Sequence, residues 1–311
     1  MTRSILLIDP LTLIGRELLG CLVDEGFHAA DLAFRHTAED DEHQIAQFGG
    51  QATLVPPLDE AGEPPTADVV ILASDADSRR LRRLVDHLET LPGQRLIDLS
   101  GLAGTRRLGI PATWSAASGD GRLRPAHPAV VAAAAVLEAL AELEPIGGAL
   151  AIVDPVSGGG RAAVELLAAQ AVSRLQGGTP EDLFDGHVLA FNAVADDPTR
   201  LAEEAAAAIP DLPLAVTWTR TGCFHGHLAH FVLELGAPRD DDSTARRLLE
   251  ADERLAIAEE PLGLGQVVES DRVHVSLPVF ARDRRRLAMT LMVDGLRIGG
   301  ARTAVALLRQ L

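Results

Sequence analysis

Four short stretches of this 311-residue chain hold residue types that could do chemistry. The first is Arg220-Thr221-Gly222-Cys223-Phe224-His225-Gly226-His227. A guanidinium grips a carboxylate with two parallel hydrogen bonds, and an imidazole titrates near neutral pH. Arg220 and His227 therefore suit carboxylate binding and acid/base work. Each has a plainer alternative: Arg220 paired with an acidic neighbour on the sheet, and His227 an ordinary hydrogen-bonded residue in a Gly-rich turn. Cys223 stands four residues before His227, where a thiol could be activated by a base, or it serves as a small buried hydrophobe. His225 and His227, two apart on a strand, would put both rings on one face. With His127 and His230 they make a candidate metal set. His230 has an odd offset from His227, and neither a Cys pair nor a carboxylate completes the set, so no metal is expected.

The other three stretches sit at element ends. Ala126-His127-Pro128-Ala129 opens an alanine-rich helix, with proline at a position it favours. Asp154-Pro155-Val156-Ser157-Gly158-Gly159-Gly160 follows the apolar strand 148–153 and precedes a helix over 161–175. Asp9-Pro10-Leu11-Thr12-Leu13-Ile14-Gly15 joins the apolar run 4–8 to a helix whose apolar residues recur to Val23.

These stretches need a frame, and the apolar pattern supplies one. Runs at 4–8, 69–73 and 95–99, with a further strand at 29–34 and a helix over 78–91, predict a Rossmann-like doubly wound parallel α/β sheet. Residues 40–62 read as irregular. Helical spacing over 128–144, β character at 214–220, 228–235 and 273–279, and an acidic helix-like stretch at 240–255 predict an α+β domain with a mixed or antiparallel sheet. A strand at 287–293 and a helix over 299–311 end the chain. The boundaries read as 1–125 with 292–311 for the first domain and 126–291 for the second.

Three segments together resemble the aspartate-semialdehyde dehydrogenase family: Val156 to Arg161 is similar to its VSGAG loop, Arg220 to His227 to its R-x-P-V-x-x-G-H segment, and Asp294 to Ala301 to its D-N-L-R-K-G-A segment. Phe191-Asn192 matches its A-F-N stretch, and the order is kept over nearly the whole chain. By this resemblance the first domain would be dinucleotide-binding-like and the second a dimerisation and substrate domain. The resemblance implies an NADP-dependent oxidoreductase of amino-acid biosynthesis, in which a cysteine thiolate attacks an aldehyde and phosphate releases the acyl group. By position, Arg220 would bind the substrate carboxylate and His227 would be the acid/base. Gly15, Thr12, Ser157, Gly158 and Thr303 would lie against the cofactor.

Other positions depart from the family. His127 stands where the nucleophilic cysteine belongs, and imidazole does not replace a thiolate in thioester chemistry. Pro128 removes one backbone N–H there. Asp154 stands at the orienting glutamine, an acceptor where an amide could donate. Of the G-x-x-G-x-x-G loop only Gly15 remains, with Asp9, Pro10 and Thr12 obstructing a pyrophosphate by bulk and, for Asp9, by charge. The phosphate arginine is missing from Ser100-Gly101-Leu102-Ala103-Gly104, with Arg106 or Arg107 as substitutes. The expectation is a non-catalytic homologue of the Usg type, homodimeric, with weak or no NADP binding and an unassigned small-molecule ligand. The alternative is a divergent NADP-dependent semialdehyde dehydrogenase using Cys223.

Composition narrows the partners. The formal charge is −17, and all 28 basic residues are Arg. Such a chain repels phosphate backbones and anionic lipid, so neither nucleic acid nor a membrane is expected. No apolar stretch reads as a bilayer span and no signal sequence is seen at the start, so the expected location is cytoplasmic. Two cysteines offer no disulfide framework. Arg79, Arg80, Arg82 and Arg83 read as a solvated helix face.

Overall fold

The computed structural model describes residues 4–59, 65–100, 110–112, 121–239 and 242–311. They divide into two compact units, Met1–Pro125 with Gly300–Leu311, and Ala126–Gly299.

The first unit is built on short strands, of which Ile5–Ile8 and Val69–Leu72 are apolar and buried throughout. The strands are β1 (Ile5–Ile8), β2 (Leu32–Arg35), the hairpin β3 (Gln44–Phe48) and β4 (Gln51–Val55), β5 (Val69–Leu72), β6 (Arg95–Asp98), β7 (Ile110–Ala112) and β8 (Arg122–Pro125). Among the described residues six of them form a parallel sheet in the order β2-β1-β5-β6-β8-β7. Because side chains alternate across a strand, Ile5 and Leu7 join one core with the helix Leu13–Asp24 (α1), while Leu6 and Ile8 join the other with the helix Arg79–Thr90 (α2). That is the doubly wound arrangement. The hairpin corrects the irregular reading of 40–62. Its turn, Gly49-Gly50, has both φ angles positive (57° and 77°), which suits a tight hairpin and requires glycine. The Gly-Gly pair was the available signal. The basic run also needs correction: Arg80 is buried, donating to the carbonyls of Ala38 and Asp40 and pairing with Asp41.

The second unit carries β9 (Pro145–Asp154), β10 (Ala193–Asp196), β11 (Leu214–Thr221), β12 (His227–Leu235), β13 (Leu255–Ala258), β14 (Val273–Ser276), β15 (Val279–Phe280) and β16 (Arg286–Val293). Its mixed sheet runs β10-β11-β9-β12-β16-β14-β13, with β15 on β16. The helices are α3 (Pro128–Ala139), α4 (Gly160–Leu175), α5 (Thr199–Ala208) and α6 (Asp242–Glu250). Helix α3 lies across β9, β12 and β16, with α5 against β11 and α6 against β13 on the same side. The sheet's buried positions, Leu150, Ile152, Ala229, Phe231 and Leu291, face these helices. Helix α3 is buried almost throughout its first nine residues, which explains why its alanines show no polar stripe. The chain returns to the first unit at Gly300, past 292, because β16 stays paired with β12 and β14. A π-helical turn, Arg297–Ala301, then leads into α7 (Arg302–Gln310), packed with α1 in the first unit's core.

Candidate functional site

The N-terminus of α3 stands over the ends of β9 and β12. Strand pairing sets Leu228 opposite Val153, so the next step along brings His227 beside Asp154 on the face that α3 covers. His127 is the residue before α3, and Pro128 occupies the first helical position, where a missing N–H costs nothing. Three side chains meet there: His127, Asp154 and His227. His127 Nε2 lies 3.1 Å from Asp154 Oδ2, and His227 Nε2 lies 3.8 Å from Asp154 Oδ1. The two imidazole rings pack edge to face, 5.4 Å apart. Trp218 Nε1–H also donates to Asp154 Oδ2, at 2.8 Å. The backbone N–H of His127 donates to Glu204 on α5, and that of Ala129 donates to His127 Nδ1 at 3.3 Å. With Nδ1 accepting, the neutral His127 ring carries its proton on Nε2, aimed at Asp154.

Burial and charge act against each other here. Burial alone would raise the Asp154 pKa, but the charges of His127 and His227 and the hydrogen bonds from His127 and Trp218 hold it at about 2. Burial dominates at His227 and, with the neighbouring His127 charge, pulls it down to about 4 despite Asp154. At His127 burial is outweighed by Asp154 and Glu204, so its pKa lies above the ordinary value. The cluster is therefore one carboxylate between two imidazoles of unequal basicity. His227 also packs on Gly295, where a Cβ would lie 2.1 Å from its ring and force the ring to shift.

Arg220 is engaged by acidic residues of the chain itself. Its Nη1 donates to Asp185 at 2.6 Å and its Nε sits 2.6 Å from Asp196, on the neighbouring strand. The guanidinium also lies over the rings of Phe184 and Trp218. The plainer alternative, pairing with acidic neighbours, describes Arg220 in this structure. Glu204 and Trp218 escaped sequence reasoning, because neither falls in a recognisable motif.

The remaining expected residues fall elsewhere. Cys223 lies in the turn between β11 and β12, half-buried, rather than in a strand, and its carbonyl accepts the N–H of Val156. Neither Cys223 nor His225 belongs to the three-residue cluster, and His230 is exposed on the other face, 3.2 Å from Thr290 Oγ1. The carboxylate lacking from the sequence set is Asp154. Ser157 is buried in the turn before α4, tied to Phe224, and Gly158 is exposed. Thr303 is fully buried within α7. Ser100 is bound to Asp98, while Arg106 and Arg107 lie outside the described residues.

In the first unit the loop after β1 is filled from within. Asp9 adopts φ 58°, a left-handed conformation that glycine would take freely. Its carboxylate accepts the Thr37 N–H at 2.6 Å, the Thr37 hydroxyl at 2.7 Å and the Ser74 hydroxyl. Thr12 caps α1 by accepting the Gly15 N–H and donates to the Ala73 carbonyl. Gly15 itself is needed for packing, since a Cβ there would meet Asp9 O at 2.5 Å. A pyrophosphate entering this loop meets a carboxylate where it needs donors, so the residues present do not fit a dinucleotide held in the usual way.

No protein-family model matches the chain, and no curated protein sequence does either. Solved structures do. A probable aspartate-semialdehyde dehydrogenase of Pseudomonas aeruginosa superposes with a TM-score of 0.84 at 22% identity, over 100% of this chain and 98% of that one. The fold is theirs. Aspartate semialdehyde dehydrogenase II of Vibrio cholerae, complexed with ASA, gives 0.82 at 16% identity, covering 99% and 98%. The enzyme of Francisella tularensis gives 0.76 at 12%, covering 99% and 100%. The two-domain aspartate-semialdehyde dehydrogenase fold is thus established for this chain at full length. No helix among the described residues is long and apolar enough to cross a membrane.

Proposed function

We propose that this protein is a relative of the aspartate-semialdehyde dehydrogenases that has lost the dehydrogenase reaction, a non-catalytic homologue of Usg type. The observation that carries the reading is at the start of α3. Where the family resemblance places a thiolate, His127 is fastened between Ala129 and Asp154, and Asp154 is held in turn by Trp218. Acyl transfer needs a polarizable nucleophile with a free approach, and this group is neither. The carboxylate-binding position supports the same reading, because Arg220 is neutralised by two aspartates of the chain itself. Asp9 supports weak or absent NADP binding.

The proposed assembly is a homodimer in the cytoplasm. The face of the second sheet away from α3 supports it, with Ala149 exposed and Ala151, Val153, Leu228 and Val232 half-exposed in a row of small apolar residues. The high negative charge argues against nucleic-acid and membrane partners. Purified protein assayed with NADP, aspartate semialdehyde and phosphate tests the reading. No turnover is expected, while turnover abolished by Cys223→Ala would establish the divergent-enzyme alternative.

A further inference from the structure

We propose that His127, Asp154 and His227 form a binding site for one divalent transition-metal cation of the Zn2+ or Co2+ kind. This goes beyond the loss of dehydrogenase chemistry and stands whether or not that reading does. Each of the three residues offers one ligand atom, and the three atoms lie within 4.8 Å of one another. Two ligand atoms about 2.1 Å from a shared cation at roughly tetrahedral or octahedral angles are about 3.0–3.4 Å apart. His127 Nε2 lies 3.1 Å from Asp154 Oδ2, inside that range, and His227 Nε2 lies 3.8 Å from the other oxygen, Oδ1, a few tenths of an ångström outside it, so the carboxylate turns one oxygen to each imidazole.

The donor set selects the cation. Two imidazoles and one carboxylate suit zinc, cobalt or iron, whereas calcium and magnesium take oxygen ligands. Three protein ligands leave at least one position open for water or a small ligand.

The carboxylate is prepared for the role. Its Oδ2 is oriented by Trp218, the outer hydrogen bond that metal-bound carboxylates commonly have. Its Oδ1 is buried, has no hydrogen-bond partner and faces His227 Nε2. A buried carboxylate oxygen without a donor is costly, and a cation between the rings satisfies it. Loading replaces the His127 Nε2–H···Oδ2 hydrogen bond. The proton moves to Nδ1, and the long 3.3 Å contact from Ala129 opens. Binding should consequently weaken as the pH falls and the imidazoles protonate.

The test uses the full-length protein stripped with a chelator and titrated with Co2+, followed by visible d–d absorption and calorimetry. One Co2+ per chain is expected, with Kd on the order of micromolar or tighter. His227→Gln and Asp154→Asn should each weaken it by at least about tenfold. His230→Gln, on the opposite sheet face, should leave it unchanged. Should a variant fail to fold, imidazole 15N spectra of the unsubstituted protein replace it: Zn2+ should shift the Nε2 resonances of two histidines. Absence of a d–d band, a band that survives both substitutions, or a Zn2+ titration that leaves all imidazole nitrogens unmoved overturns the proposal.

Discussion

Replacing Asp9 separates what its charge does from what its backbone does. At φ 58° an L-residue costs about 1–2 kcal/mol relative to glycine, while asparagine tolerates this region better than most. The carboxylate accepts three hydrogen bonds, from the Thr37 N–H, the Thr37 hydroxyl and the Ser74 hydroxyl. At about 1 kcal/mol net for each, Asp9→Gly loses about 3 and regains about 1–2, ending less stable by about 1–2 kcal/mol. Asp9→Asn keeps an acceptor for Thr37 N–H and should lose about 1 kcal/mol or less. The effect on nucleotide is larger and opposite in sign. A carboxylate about 6 Å from a phosphate charge repels it by about 3 kcal/mol at an effective dielectric of about 20, or roughly two decades in affinity. Screening by salt trims this to at least about tenfold. Calorimetric NADP titration at low ionic strength, paired with thermal melts, reads both effects. NADP binding by Asp9→Asn within twofold of wild type would refute the charge argument. So would tight NADP binding by the wild type.

Asp154→Asn removes the charge that holds two imidazoles and an indole, and loss of one member of a buried pair should cost about 3–5 kcal/mol, read as a lower denaturant midpoint in metal-free protein. Gly295→Ala drives a methyl into the buried His227 ring and should cost about 1–3 kcal/mol, while Gly263→Ala, whose nearest neighbour lies 3.5 Å away, should be nearly neutral in the same melts. The acid limb of stability in metal-free protein follows from His227. Its folded pKa of about 4 lies below the unfolded 6.5, so the unfolded chain binds the extra proton and stability falls as the pH drops from about 6.5 to 4. The loss is about 3 kcal/mol if His227 acts alone. His127, with its raised pKa, contributes in the opposite direction: its stabilisation is full below pH 6.5 and disappears as the pH rises through the folded value. His227→Gln should flatten the acid limb between pH 6.5 and 4, and an unchanged slope would contradict the assignment.

Much of the fold was legible because fully buried strands leave an uninterrupted apolar run, as β1 and β5 do, while β6 keeps Leu96 and Ile97 between Arg95 and Asp98. The hairpin β3–β4 was hidden by its exposed Ile45 and Leu54, which break the alternation that marks a half-buried strand. The strand β10 and helix α5 drew no reading, since β10 has no buried residue and α5 is mostly alanine and glutamate. In the site, His127, Asp154 and His227 were each legible by position. That they touch was not. Their meeting depends on the register of β9 against β12 and on where α3 docks its first turn, which no local pattern encodes. The two aspartates that pair with Arg220 were invisible for the same reason: Asp185 comes from an irregular loop and Asp196 from the undetected strand.

The central claim is that dehydrogenase chemistry is absent, and a single-turnover experiment tests it most directly. Protein at concentrations above the substrate is mixed with aspartate semialdehyde, phosphate and NADP, and NADPH is followed by absorbance over hours. The proposed loss of catalysis predicts no NADPH above the rate without protein, for wild type and Cys223→Ala alike. A burst of NADPH stoichiometric with the limiting semialdehyde, lost in Cys223→Ala or in His227→Gln, would contradict it.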